Sequence, residues 1–458
     1  MLVASLLLSI LASRQLIQTR VDPRIELVTT VFRLAGADEF HMDGAESAYT
    51  RDVDQTFAPF KNHSAVLLAR QLREKDGIGF DAVLTLAVNL TDIESLKERI
   101  PFDRPPARWD KRWPATDARA FVIELRKFVK DTKYETFLEK EKAYIAKATG
   151  GMEALLSRFD VSAWLTDLYG KPPGRNSFVI IGLLCGGGNY GTSVEFPGGD
   201  LEISPVFGAH LYDTEGFPVF DENDLSLIMH EFSHTYVNPL VHKDLSKLRP
   251  AAKRLMKTFK ENLAAGAYGD ADAVVYESFV RAAETHLVSR HLSPELARTS
   301  LIEQRSAGFL WTSDLEDKLD EFERDRGNYK TFAQFLPILE DEFIRLSYSA
   351  RDIVARCPKV ESLKICWGAD ESDGKLVTIT ARFSEPMDRN SRGLSFEGEG
   401  YSVIRKTEFD TDGRSFHITL RLKKGSRVKA NLNRFGRGLL GTSGYPLQRY
   451  PFILSEPG

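Results

Sequence analysis

The hydrophobic pattern of this chain changes its period near residue 356. Before that point, long segments repeat apolar residues at helical spacing, whereas from residue 361 onward short segments alternate apolar and polar residues as strands do. Helical spacing predicts helices and alternating spacing predicts strands. A long stretch of one followed by a long stretch of the other indicates two separate domains. The length of 458 residues also exceeds that of one ordinary domain, and we expect two or three.

The part before residue 356 is predicted to be mainly helical around a small mixed sheet. The predicted helices cover residues 25–32, 64–72, 117–147 and most of 224–355. A continuous apolar run at residues 178–184 predicts a buried strand, and further strands are predicted at 190–196 and 200–204. The fold class expected from this pattern is α+β.

The last hundred residues are predicted to form an all-β domain. Alternating strands are predicted at residues 362–367, 375–383, 401–404, 415–422 and 427–432. Turn clusters such as Asp410-Thr-Asp-Gly413 separate them. This spacing is typical of a β-sandwich of immunoglobulin-like size.

The chain opens with an apolar run over residues 1–13, ahead of Arg14. The run is too short to span a bilayer but suits the apolar core of a secretory leader, although no lysine or arginine precedes it. The alternative is a buried first helix. We predict a leader at residues 1–20, a first domain at 21–356 and a second at 357–458, and we expect a secreted, periplasmic or cell-surface protein with no integral membrane segment.

Charge and cysteine content exclude several classes of partner and site. A net charge of −4 offers no basic field for nucleic acid. The three cysteines, Cys185, Cys357 and Cys366, include no CxxC pair, which argues against a cysteine-based zinc site and against a disulfide framework. A bridge between Cys357 and Cys366 stays open, although unpaired thiols are the commoner outcome.

The most informative motif is His230-Glu-Phe-Ser-His234. It lies in a segment predicted to be a helix, with candidate N-caps at residues 221–224 and a predicted end at Asn238-Pro239. Apolar residues recur at helical spacing along it: Leu225, Ile228, Met229, Phe232 and Tyr236. Side chains four residues apart share one helix face, so both imidazoles can reach one metal ion.

The residue between the two histidines suggests what such a metal would do. Glu231 follows the first candidate ligand and can accept a proton from water, as the general base of a metallopeptidase does. We therefore expect Zn²⁺ as cofactor, with His230 and His234 as ligands. The alternative is a helix with two solvated histidines and an exposed glutamate.

A third protein ligand should come from a later helix. The extended motif HExxHxxGxxH is absent, because Val237 and Leu240 replace its glycine and its last histidine. Glu277 is the favoured ligand, since it lies among apolar residues where an unpaired carboxylate is costly, and Arg281 could orient it. The alternatives are Glu284, then Asp270 or Asp272, and Glu277 could instead form an ordinary surface salt bridge to Arg281.

Other residues are candidates for contact with substrate. The glycine cluster 186–191 lacks the lysine of a phosphate-binding loop and reads as a tight turn into the next strand. That strand, with Tyr190, Gly191 and Thr192, could bind a peptide backbone by strand addition, although a structural hairpin is the commoner role. An oxyanion donor is also expected near the metal, and the sequence offers five candidates: Tyr236, His242, Tyr268, Tyr276 and His286.

Residues 228–241, with HEFSH at their centre, and the later Tyr276-Glu-Ser-Phe-Val-Arg-Ala282 resemble an uncharacterised bacterial family. That family is described only as a domain of unknown function with zincin-like motifs. Residues 24–27, 32–36 and 186–191 look similar to its other blocks, so the resemblance covers roughly residues 20–350. It implies a gluzincin-type peptidase fold in which His230, Glu231, His234 and Glu277 take the family roles, and it implies no substrate.

The tail resembles the bacterial immunoglobulin-like domains of surface-layer and secreted proteins, through Val377-Thr-Ile-Thr-Ala-Arg-Phe-Ser-Glu-Pro-Met-Asp388. Such modules space, attach or present an enzyme, which implies a cell-surface association. The sequence thus predicts zinc-dependent hydrolysis of a protein or peptide. Two alternatives stay open: a non-catalytic surface-binding protein that keeps the zinc helix as structure, and a zinc hydrolase that acts on another amide or an ester.

Overall fold

The computed structural model describes residues 17–42, 47–106, 108–174, 176–265, 268–371, 374–397, 401–434 and 438–455. Residues 1–16, which are most of the leader predicted at residues 1–20, lie outside the described residues. Gln18–Arg20 forms a strand, β1, that pairs in parallel with residues 178–180. A leader that ended at residue 20 would remove this strand.

The fold is mixed α and β, and the chain divides into two compact units, one ending at Thr235 and the other beginning at Tyr236. The helices of the first unit are α1 Pro23–Leu34, α2 Ala48–Phe57, α3 Ser64–Asp76, α4 Asp81–Val88, α5 Ala115–Thr132, α6 Tyr134–Lys140, α7 Lys142–Arg158 and α8 Val161–Tyr169. The helices predicted at 25–32 and 64–72 are confirmed. Helix α1 begins where the Asp22 carboxylate accepts the amide hydrogen of Arg24 at 3.0 Å, with Pro23 in the first turn.

The helical stretch predicted at 117–147 is confirmed, and it is divided into α5, α6 and the first part of α7. The first break is at Lys133, whose φ of 53° is left-handed. The turn brings Tyr134 and Phe137 into contact with Phe57, at ring-centroid distances of 5.3 Å and 4.9 Å. Burial of these aromatic rings outweighs the cost of the left-handed residue, which helical periodicity along the chain cannot reveal.

The first unit contains a small mixed sheet. Its strands besides β1 are β2 Asn176–Gly182, β3 Asn189–Tyr190, β4 Ser193–Glu195, β5 Leu201–Ile203 and β6 Val206–Gly208, in the order β3-β6-β2-β5-β4 with β1 paired to β2. Strand β2 confirms the buried strand predicted at 178–184. The strand predicted at 190–196 is instead two short strands at opposite edges of the sheet, because β3 pairs with β6 and β4 pairs with β5.

Helix α9, Glu222–Val241, carries the HEFSH motif and includes the residues on both sides of the boundary at 235. The remaining helices are α10 Leu245–Thr258, α11 Lys260–Ala265, α12 Ala271–His291, α13 Pro294–Ser306, α14 Thr312–Arg324, α15 Phe332–Tyr348 and α16 Ala350–Ala355. Helix α12 packs against α10, α13 and α14. The predicted change from helices to strands occurs within the second unit, after Ala355.

The strands of the second unit form two antiparallel sheets. They are β7 Val360–Glu371, β8 Gly374–Phe383, β9 Leu394–Glu397, β10 Tyr401–Phe409, β11 Ser415–Lys423, β12 Arg427–Leu432 and β13 Tyr450–Ser455. One sheet has the order β10-β11-β8-β7 and the other β13-β12-β9. Alternate residues of both sheets meet in one apolar core that includes Ile379, Leu420 and Ala430. The immunoglobulin-like assignment stays a prediction.

Two further predictions concern the described residues. The three cysteines are all free; Cys185 and Cys357 are buried and Cys366 is exposed. Among the described residues, no helix is both long enough and apolar enough to cross a membrane.

Candidate metal centre

Helix α9, which carries the motif, is stabilised by hydrogen bonds at its first turn and by burial of its apolar face. The Asp221 carboxylate accepts the Asn223 amide hydrogen at 2.8 Å, and the Asp224 carboxylate accepts that of Asp221 at 2.8 Å. These two bonds satisfy amides that would otherwise be unpaired at the helix start. The face predicted to be apolar is buried: Leu225, Ile228, Met229, Phe232 and Tyr236.

The helix end predicted at Asn238-Pro239 is wrong. Helix α9 continues to Val241 with Pro239 inside it. Proline costs a helix one hydrogen bond and some strain, about 3 kcal/mol. Val237 and Val241 are fully buried on either side of it, and their burial offsets that cost.

The two motif histidines converge on one point. Nε2 of His230 and Nε2 of His234 are 3.2 Å apart, and the rings meet edge to face at an interplanar angle of 79°. The helical spacing of four residues places both rings on the same face, as expected from the sequence.

Glu277 on α12 supplies an oxygen to the same place. One ligand atom from each of His230, His234 and Glu277 lies within 4.8 Å of the other two. Glu277 also forms the predicted salt bridge to Arg281, with Oε2 at 2.8 Å from Nε. Burial lowers the pKa of Arg281, but the negative charge of Glu277 outweighs it and the net shift is upward.

Arg281 is itself held in a fixed position. Its guanidinium donates to Gln304 and to the Tyr268 hydroxyl, and it lies 4.6 Å from the centre of the Phe309 ring. A guanidinium fixed in this way orients the carboxylate that it pairs with.

The other acids considered as third ligand have different partners. Glu284 is buried and accepts hydrogen bonds from Ser300 at 3.2 Å and Gln304 at 2.9 Å. Asp270 caps α12, and Asp272 pairs with Arg249. These three carboxylates are not in the group formed by His230, His234 and Glu277.

Glu231 lies against the connection between β3 and β4. A Cβ atom added to Gly191 would be 2.6 Å from Oε2 of Glu231, so any larger residue there would force the carboxylate to move. Gly191 is exposed, and among the described residues its amide and carbonyl make no backbone hydrogen bond. Sequence reasoning had no signal for this approach, which depends on the packing of the sheet on α9.

The two neighbours of Gly191 are less accessible. Tyr190 is 7% exposed and Thr192 is 4% exposed, and the Thr192 hydroxyl donates to the carbonyl of Ser204. Of the three residues proposed for substrate contact, the structure leaves only Gly191 open to solvent.

The candidate oxyanion donors are placed in different surroundings. Tyr276 and His242 form a pair, with the hydroxyl 2.7 Å from Nδ1, and burial raises the pKa of Tyr276. Burial also raises the pKa of Tyr236, so both tyrosines keep their proton at neutral pH. Tyr268 accepts from Arg281, and His286 lies instead with Glu316 and Asp320.

The remaining five histidines are not in the group formed by the motif histidines and Glu277. His41 and His210 contact backbone carbonyls, His63 caps α3, and His417 pairs with Asp410 at 2.7 Å. His291 is the last residue of α12.

Comparisons with known proteins identify a family but no activity. The profile of a family described as "Domain of unknown function (DUF4932)" matches residues 109–341, just over half of the chain. This range includes HEFSH, the 276–282 block and the glycine cluster. It does not include residues 24–27 and 32–36, which the sequence analysis assigned to the same likeness.

The crystal structure of an S-layer protein, rSbsC, is 17% identical to this chain and covers 50% of it and 34% of its own length, with a TM-score of 0.17. That similarity is too low to indicate a shared fold. No curated protein matches the sequence.

Proposed function

The chain belongs to the DUF4932 family, whose description assigns no chemistry, and from its own residues we propose that it is a zinc-dependent peptidase. The observation that carries the proposal is the convergence of His230 Nε2, His234 Nε2 and the Glu277 carboxylate beside Glu231. Two imidazoles and one carboxylate are a ligand set that zinc takes in hydrolases, with a fourth position left open.

The donor atoms fit zinc in type and in spacing. Zinc–nitrogen bonds of about 2.0–2.1 Å at tetrahedral angles separate two nitrogens by roughly 3.3 Å. The two Nε2 atoms are 3.2 Å apart. Two neutral imidazoles at this distance either share one hydrogen or direct both lone pairs at a common cation, and the nearby carboxylate favours the cation.

Zinc, when bound, supplies a Lewis acid that polarises the scissile carbonyl and lowers the pKa of water. Glu231 accepts a proton from the attacking water, whose oxygen forms a bond to the carbonyl carbon. The carbon–nitrogen bond then breaks as Glu231 returns the proton to the leaving nitrogen. Arg281 acts indirectly, because it fixes the Glu277 carboxylate.

The substrate proposed for this site is an extended peptide. Gly191 is exposed beside Glu231. Its amide and carbonyl make no backbone hydrogen bond within the described part of the chain, so they can bind the backbone of a substrate by strand addition. Such binding reads the peptide backbone, so it suits a protein or peptide substrate better than an isolated ester.

We further propose that the protein acts outside the cytoplasm. The support is the apolar run at residues 1–13 and the likeness of residues 377–388 to immunoglobulin-like modules. N-terminal sequencing of protein from the culture medium and cell envelope tests it: recovery of intact Met1 from the cytoplasm alone would contradict export.

The decisive experiment replaces the proposed base and leaves the ligands in place. We expect Glu231→Gln to retain as much zinc as the parent, measured by elemental analysis, and to lose more than about 1,000-fold in kcat on a protein substrate and on peptide libraries. Glu222→Gln is the matched control, since Glu222 lies in the first turn of the same helix and should leave both zinc and turnover unchanged.

Two results would overturn the proposal. Parental turnover in Glu231→Gln would show that Glu231 is not the base. Zinc binding by the parent without turnover on any peptide would favour the non-catalytic alternative, in which the helix is only a structural zinc site.

A further inference from the structure

A second group of potential metal ligands lies on the opposite face of α12. His286 is nine residues after Glu277, which is two and a half helical turns, so the two side chains leave the helix in opposite directions. His286 is fully buried and faces α14. This face takes no part in the proposed peptidase site.

The imidazole of His286 lacks the hydrogen bonds that a buried ring needs. Nδ1 is 3.4 Å from Asp320 Oδ1 and Nε2 is 3.5 Å from Glu323 Oε1. Among the described residues, neither nitrogen has a hydrogen-bond partner. A buried polar group left in this state costs about 1–3 kcal/mol, which indicates that something further satisfies it.

Two carboxylates of α14 stand beside the ring. Glu316 and Asp320 are four residues apart, so they share one helix face, and one ligand atom from each lies within 4.8 Å of one from His286. In the described part of the chain, neither carboxylate forms an ion pair with lysine or arginine. The two acidic side chains and the buried imidazole therefore form a compact group of potential ligands.

The neighbours orient these groups. The Ser289 hydroxyl donates to Glu316 Oε1 at 2.9 Å. Arg326 donates to both carboxylate oxygens of Glu323, at 3.2 Å and 2.8 Å. Because Glu323 is already paired with this cation, it is better suited to accept the hydrogen of His286 Nε2 than to bind a metal ion.

We propose that His286, Glu316 and Asp320 bind a second divalent transition-metal cation, of the Zn²⁺ or Mn²⁺ class. Glu323 selects the tautomer of His286 with hydrogen on Nε2, which leaves the Nδ1 lone pair directed toward the two carboxylates. One imidazole with two carboxylates suits these ions, whereas Ca²⁺ prefers oxygen ligands only.

The site is accessible and has a structural consequence. The Asp320 side chain is 48% exposed, so a cation can enter from solvent and complete its coordination with water. The bound ion would join α12 to α14 on the face of α12 opposite Glu277. It would therefore stabilise the helix that presents the proposed zinc ligand, whether or not the protein is a peptidase.

The test isolates this site in the full chain with both motif histidines replaced, His230→Ala with His234→Ala. After chelation and dialysis, this variant should bind one equivalent of Mn²⁺ or Zn²⁺ in calorimetric titration, with a metal-dependent rise in Tm. Adding Asp320→Asn or Glu316→Gln should weaken binding by about 10-fold or more. Asp317→Asn is the matched control, because this exposed neighbour is not in the group.

Each outcome decides the proposal. Failure of the double variant to bind metal at micromolar concentration overturns it, and so does equal binding by the Asp320→Asn, Glu316→Gln and Asp317→Asn variants. If Asp320→Asn lowers Tm equally with chelator and with metal, His286 is only a buried ion-pair partner. Because the motif histidines are absent throughout, these results are independent of the peptidase proposal.

Discussion

Gly191 offers the sharpest test of how the peptidase site is built. An alanine there would place its Cβ 2.6 Å from Oε2 of Glu231, whereas ordinary contact begins at 3.4 Å. The carboxylate must therefore withdraw by about 0.8 Å, which it can do because it is the free end of a flexible side chain. Gly191 has no left-handed φ, so its backbone accepts alanine without strain.

The expected effect is on the proposed chemistry and not on the fold. A displacement near 1 Å of a group that handles the reacting proton costs on the order of 100-fold, so Gly191→Ala should lower kcat by about 10- to 100-fold, or about 1.4–2.7 kcal/mol in activation free energy. The loss of backbone freedom in the unfolded chain contributes at most about 1 kcal/mol of stability, so Tm should change by only a few degrees. Zinc content should not change, because no ligand is touched.

The assay compares kcat, zinc content and Tm in the parent, Gly191→Ala and Gly187→Ala. Gly187 is the matched control, since it lies in the same glycine cluster and a Cβ there meets nothing within 4 Å. Gly187→Ala should behave as the parent in all three measurements. Parental kcat in Gly191→Ala would refute the placement of Glu231 as the base beneath this backbone.

Three further predictions test the third ligand and the core. Glu277→Gln should weaken zinc binding by more than about 100-fold in a chelator competition, whereas Glu284→Gln should keep zinc and lose only stability; the reverse result would exchange their roles. Burial raises the pKa of Glu26 to about 8. Between pH 4.5 and 8 the folded chain therefore keeps a proton on Glu26 that the unfolded chain has lost, so the free energy of unfolding falls as the pH rises through this range. Glu26→Gln should remove this loss, by up to about 1.4 kcal/mol per pH unit, in urea unfolding at pH 5, 7 and 9; a parallel pH dependence in both proteins would contradict it. Leu420→Ala should cost about 2–5 kcal/mol in urea unfolding and the 45% exposed Ile453→Ala less than about 0.5; equal losses would place Leu420 outside the core.

Elements with a strong local period were predictable. The helices at 25–32 and 64–72, the buried strand at 178–184 and five of the seven described strands after residue 360 follow from the spacing of apolar residues and the turn residues between them; the short strands β9 and β13 were not predicted. Packing overrides that spacing at two places. Lys133 divides the helical stretch 117–147 so that Tyr134 and Phe137 can be buried, and the helix end predicted at Asn238-Pro239 is wrong because α9 continues to Val241, with Val237 and Val241 buried.

The sequence determined one part of the candidate metal centre, and the tertiary structure determined the other. The motif by itself placed two imidazoles one helical turn apart with an acid between them, because residues four apart on a helix are neighbours whatever surrounds it. Which later acid meets them was not determined by the sequence, since Glu277 and Glu284 share one helix and differ only in what packs around each. The tertiary structure places Ser300 and Gln304 against Glu284 and leaves Glu277 to the histidines.

The group formed by His286, Glu316 and Asp320 could not have been predicted from the sequence. Its members are 30 and 34 residues apart along the chain, in two helices whose sequences carry no recognised metal motif. Local spacing determined that each residue lies on a helix. Only the packing of α12 against α14 decided that a buried imidazole and two carboxylates meet, because contacts between distant segments depend on shape complementarity that periodicity does not record.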